Sequence, residues 1–209
     1  MTTLYTELTP DIQYHIPNCP SPLINKAVKR ATRMFCTESH AHRVYLSPIT
    51  VVSDVDTYSL TAPAGFEIVQ VLNVRFNGAG MTAISESLLD GRGVDWNTAT
   101  GTPTDYFLTS RSEIRLYPKP QSVGTLEIRV SLRPTRTATG GDDTIMDRYW
   151  DEIMDGALGE LFTLDNTPWE DGNQATMHMS RFAGAVEKAR LEVHNDDQAK
   201  LRVVRYGGV

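Results

Sequence analysis

"EIRLYPKPQSVGTLEIRVSLRPT", residues 113–135, holds two strand-like runs, each ending in a proline. Ile114 and Leu116 alternate with Glu113 and Arg115. After a turn, Leu126, Ile128, Val130 and Leu132 alternate with Glu127, Arg129 and Ser131. A period of two is the pattern of a strand with one buried and one wet face. Pro118, Pro120 and Pro134 cannot donate to a ladder, so each run is expected to stop there. The stretch predicts two paired strands, a clipped ribbon with a mixed-charge outer face.

Working outward, residues 44–134 read as strands broken by turns: Val44–Leu60 as two strands meeting near Ser53–Asp56, then Phe66–Asn77 and Asp105–Thr109. "AISESLLDGRGVDW" has room for one helical turn. On the N-terminal side, "SPLINKAVKRATRMFCTE" predicts a helix with Ser21 as N-cap and Pro22 at its first position. Its apolar stripe is Leu23, Ala27, Ala31 and Met34, with Ile24, Val28 and Phe35 beside it. Lys26, Lys29, Arg30 and Arg33 fall largely on the other side.

On the C-terminal side, "TATGGDD" reads as a linker, after which the period becomes helical. In "MDRYWDEIMDGALGELFTL" one face carries Trp150, Met154, Leu158, Leu161 and Phe162. A long helix follows with Ala175, Met179, Phe182, Val186, Ala189 and Val193, capped by Asp171 or Asn173. The short connection "NTPWEDGN" predicts an antiparallel helical hairpin. The expected fold class is therefore α+β: a helical bundle, made of the early helix and the C-terminal hairpin, with an inserted small antiparallel β unit. The expected segments are 1–43, an N-terminal stretch and the first helix; 44–140, the β-rich insert; 141–196, the hairpin; and 197–209, an extended tail.

With 209 residues, 40% hydrophobic and 22% charged, the composition is that of an ordinary globular protein. No apolar run approaches the roughly 20 residues of a membrane span, so no membrane partner is expected. "MTTLYTELTPD" lacks the basic flank and apolar block of a signal peptide, and the expectation is a chain made in the cytoplasm and not exported. A formal charge of −6 argues against a protein that works by gripping nucleic-acid phosphates.

Cys19, Cys36, His40 and His42, with His15 nearby, are metal-capable, but the cysteines stand seventeen apart and lack zinc-site spacing. Acidic clusters at Asp142–Asp143 and Asp151–Glu152–Asp155 read as helix N-terminal charge and a solvated loop, the alternative being acid/base or divalent-metal chemistry. Nucleophile-elbow, P-loop and dinucleotide-binding motifs are missing. No cofactor, metal or catalytic residue is expected, which points to an assembly role.

The order of features resembles that of bacteriophage head-to-tail adaptor (head completion) proteins. The elements that carry it are "INKAVKRATRMFC", "ITVVSDVDTYSL" with Tyr58 and Leu60, "PAGFEIVQVLNVRFNG", and "DWNTATGTPTDYFL" with Trp96, Gly101, Pro103 and Tyr106. After them come "IRLYPKP", "LEIRVSLRPT", "YWDEIMDGALGELF" and "FAGAVEKARLEV". The resemblance spans about residues 20–195 and departs before Ser21, where "TELTPDIQYHIPNCP" is longer and more proline-broken.

It implies a virion protein at the head-to-tail junction. The family's members form rings, usually of twelve copies, beneath the portal protein, joining it to a downstream tail or nozzle protein and retaining the packaged DNA. The double-stranded genome would pass through the channel without specific binding. Candidate inter-subunit or lumen contacts are Lys26, Lys29, Arg30, Arg33, Glu113, Arg115, Glu127 and Arg129, the basic stripe reading otherwise as a solvated face. The tail residues Leu201, Arg202, Val203, Val204, Arg205 and Tyr206 are the candidate portal-binding segment, expected to order only on docking. The alternatives are a virion-associated hydrolase or metal-dependent nuclease, and another minor tail or capsid subunit.

Overall fold

Ile114, Leu116, Leu126, Ile128, Val130 and Leu132 are all buried, as their alternation requires, but the two runs do not pair with each other. The computed structural model of the chain describes residues 2–91 and 95–198. These divide into two compact units, one of residues 2–42 and 133–198, the other of residues 43–132.

The second unit contains β2 (Arg43–Tyr45), β3 (Ile49–Val51), β4 (Thr57–Ser59), β5 (Phe66–Phe76), β6 (Ala79–Gly80) and β7 (Thr82–Ala83). After the short helix α3 (Glu86–Asp90) come β8 (Thr100–Gly101), β9 (Asp105–Ser110), β10 (Glu113–Tyr117), β11 (Lys119–Pro120) and β12 (Gly124–Pro134). β10 lies inside a four-stranded sheet of order β4-β10-β9-β7, with Ile114 opposite both Tyr58 and Leu108. β12 lies inside the larger sheet, order β2-β12-β5-β6, and pairs with β3 as well. Neither β10 nor β12 is an edge. β8 with β11, and β7 with β9, are parallel.

One core joins the two larger sheets, among it Val51, Tyr58, Val74, Ile114, Leu126 and Leu132. Tyr58 closes the turn at residues 52–55: its hydroxyl donates to the Val55 carbonyl at 2.7 Å and accepts from the Val52 amide at 3.0 Å. Leu89, Trp96 and Phe107 form a smaller cluster of their own.

The first unit holds β1 (Thr2–Leu4), a 3-10 turn (Tyr5–Leu8), α1 (Thr9–His15), α2 (Ser21–Ser39), β13 (Gly140–Asp142), α4 (Asp143–Arg148), α5 (Trp150–Phe162) and α6 (Gly172–Gln198). Pro20, not Ser21, occupies the N-cap of α2. Asp171 caps α6, its Oδ1 accepting from the amides of Asn173 and Gln174 at 2.9 and 3.0 Å. Ile24, Val28, Phe35, Ile153, Leu158 and Phe182 are among the residues that fill this unit's core.

The expectation of a helical bundle carrying a small antiparallel β insert is overturned. Among the described residues the chain is β-rich, with strands in four sheets and only a few helices. Strands of two or three residues present too few alternations to be read from sequence, and their pairing is long-range. The supposed linker "TATGGDD" supplies β13, which pairs antiparallel with β1. Its glycines are there for close approach: a Cβ at Gly140 would lie 2.2 Å from the Thr3 carbonyl oxygen. The helix read as continuous through Tyr149 is broken there, at φ −124° and ψ 31°.

Candidate functional site

The basic stripe of α2 lies on a groove. Lys26, Lys29, Arg30 and Arg33 are spaced i, i+3, i+4 and i+7, which puts them on one helix face. With Tyr5 from the N-terminal turn and Arg136 from the segment before β13, they line a recess of about 700 Å³. Lys29 Nζ donates to the Arg136 carbonyl at 3.1 Å. Arg33 donates to the Pro134 carbonyl, and Arg30 is ion-paired with Glu160. No acidic side chain is among the described residues lining the groove.

Tyr5 and Arg136 complete this surface and are not evident in the sequence. Tyr5 is 2% exposed, its hydroxyl is buried with no hydrogen-bond partner among the described residues, and burial pushes its pKa well above the usual tyrosine value. Only long-range folding brings either residue to α2, so no local signal marks them.

The stripe assigned to the buried side of α2 holds except at Met34, which is 57% exposed. Met34 and Met179 line a second, more apolar recess of about 440 Å³ among α2, α5 and α6, together with Glu38, Glu160 and Glu187.

The four charged residues of the opening stretch separate in role. Arg115 is engaged within its own unit: Nε donates to Asp56 Oδ2 at 2.8 Å and Nη2 to Asn97 Oδ1 at 2.9 Å. Its guanidinium also lies 4.8 Å from the centroid of the Trp96 ring, a cation–π distance. Burial raises the Asp56 carboxyl, but hydrogen bonds from Arg115 and Thr57 outweigh it and hold the group below its usual value. Glu113 accepts from the Thr109 hydroxyl at 2.6 Å. Arg129 lies 5.9 Å from the Tyr45 ring centroid, and Glu127 is half-buried. The tail residues Leu201, Arg202, Val203, Val204, Arg205 and Tyr206 lie outside the described residues.

The metal-capable and acidic residues have structural partners. Cys19 and Cys36 are both buried, and burial, with a smaller contribution from Asp142, pushes the Cys36 thiol up to about 12. Such a thiol is protonated at neutral pH and is no nucleophile. Asp142 caps α4, accepting from the Thr144 amide at 3.1 Å, and Asp143 accepts from the Thr3 hydroxyl at 2.8 Å. Asp155 Oδ1 sits 2.6 Å from Nδ1 of His178, which is 5% exposed and stacked on Phe162. Asp151 and Glu152 sit in the first turn of α5, where the helix dipole favours them. Among the described residues, no three His, Cys, Asp or Glu side chains are grouped to hold a metal ion, and no helix is long and apolar enough to cross a membrane.

No curated protein matches the sequence. Residues 3–205, nearly the whole length, match the family described as SU10 adaptor protein. The chain belongs to the SU10 adaptor protein family, a family of phage head-to-tail adaptors.

Proposed function

We propose that this protein is a non-catalytic adaptor that assembles as a ring of twelve copies beneath the portal. There it joins the portal to a downstream tail or nozzle protein and retains the packaged genome. The observation that carries this reading is the family match over residues 3–205. The involvement of Asp142, Asp143, Asp155 and Arg30 in caps, ion pairs and intramolecular hydrogen bonds supports it, because these side chains serve the fold. The net charge of −6 suits a channel through which DNA slides without sticking, since phosphate affinity grows with the number of neutralising Lys and Arg contacts.

In this reading the tail residues 201–206 contact the portal, and Glu113, Glu127 and Arg129 contribute to contacts between copies. Arg115, held by Asp56 and Asn97, belongs to the same proposed contacts, as do Lys26, Lys29, Arg30 and Arg33. Mixing the full-length protein with its cognate portal and imaging the complex tests the proposal. A ring seated on the portal is expected. A protein that leaves the portal bare yet degrades cell wall at trace concentration would be a virion hydrolase instead.

A further inference from the structure

The basic groove on α2 and the acidic α5–α6 connection are complementary surfaces of the same chain. Between Arg148 and Arg181 the sequence has no lysine or arginine and seven Asp or Glu residues. Three of these, Asp165, Glu170 and Asp171, are exposed on the connection between α5 and α6. Asn166, at φ 59°, turns the connection sharply, and Glu170 fastens it by accepting from the Asn166 amide at 2.9 Å. The groove presents the opposite sign. Lys29 is anchored to a backbone carbonyl, which leaves its charge in place, and Lys26 and Arg136 stand on the same recess.

We infer that the α2 groove receives the acidic α5–α6 connection, residues 163–171, of a second copy of this chain. This deepens the ring reading and rests on it. Groove and loop are different patches, so the contact is heterologous: each copy offers a loop to one neighbour and a groove to the other, as a closed ring requires. The exposed acids of the connection and the cations of the groove are opposite in sign, which is the complementarity a contact between copies needs. Opposed charges of this kind set register and suppress wrong partners more than they add affinity.

The test uses the full-length protein at low salt, with self-association read by sedimentation equilibrium and folding checked by thermal unfolding. One variant reverses two charges of the groove (Lys26→Glu with Arg136→Glu), and another reverses one charge of the loop (Asp165→Lys). All three sites are exposed, so both variants should fold. Each alone should self-associate about tenfold more weakly than the native protein. An equimolar mixture should associate more tightly than either variant alone, because the altered groove then meets the altered loop and native groove meets native loop. A mixture no better than either variant overturns the inference, as does a native protein that stays monomeric at millimolar concentration. Duplex oligonucleotide binding that the groove reversal abolishes, with self-association unchanged, would make DNA the occupant and also overturn it. None of these failures touches the ring reading, which the portal image decides independently.

Discussion

Arg115 reaches back across its sheet to Asp56, Nε to Oδ2 at 2.8 Å, and both side chains are only 23% exposed. The pair links β10 to the turn that precedes β4, and the same guanidinium covers Trp96. Removing it therefore strands a shielded carboxylate and uncovers an aromatic ring. Arg115→Leu should cost about 2 kcal/mol, in the range of a hydrogen bond to a charged group. Chemical denaturation monitored by tryptophan fluorescence would measure it.

The same pair sets a pH dependence. The Asp56 carboxyl is held below its usual value in the folded protein, so the unfolded state binds the proton more readily. The pair's contribution is fully present above the unfolded value of about 4 and is lost as pH falls through the lower folded value. Asp56→Asn should therefore narrow the gap to the native protein in acid melts below about pH 4, while remaining less stable at neutral pH.

Phe182 on α6 is 6% exposed, and its ring centroid lies 6.2 Å from that of Phe35 on α2. A Cβ at Gly156 on α5 would come within 2.7 Å of the same ring, so the ring fills the space that glycine leaves. Phe182→Ala should cost about 3–5 kcal/mol. Trp150→Ala should cost less, because Trp150 is only half-buried and donates its indole N–H to Asp11 at 3.0 Å. Equal losses of melting temperature in the two variants would contradict this ordering.

Gly140 brings β13 against β1 so closely that no side chain fits. The atom nearest a new Cβ is the backbone oxygen of Thr3, which cannot rotate away. Gly140→Ala should destabilise by about 1–3 kcal/mol. The loss should appear as weaker protection of the β1 amides in hydrogen exchange.

What could be read in advance followed from local period. The faces of β10 and β12, the long α6 and its Asp171 cap all repeat or signal within a few residues. Sheet membership did not, because Ile114 meets Tyr58 across 56 positions and Thr3 meets Gly141 across 138. The β-rich character was underestimated for that reason. The same holds for the groove: four of its cations stand on one helix and were visible, whereas Tyr5 and Arg136 arrive only through the fold. Arg115 had the signature of a surface charge, and only the position of Asp56 shows that it is already engaged.

The final prediction concerns "AKLRVVRYGGV", residues 199–209, in which Leu201, Val203, Val204 and Tyr206 are interleaved with Lys200, Arg202 and Arg205. So much β-branched and aromatic content is unusual for a solubilising end, and the segment is too short to form a stable unit alone. An extended segment of this composition binds by adding a strand or filling a groove, with apolar side chains giving specificity and basic ones steering toward an acidic surface. A chain ending at Asp197 retains all the core residues of both units, so it should melt with the full-length protein. It should nevertheless fail to attach to the portal, and particles assembled with it should lose packaged DNA. Portal binding measured by co-sedimentation separates the two properties. A truncated protein that melts normally and still docks, giving infectious particles, would show that residues 201–206 have no such role.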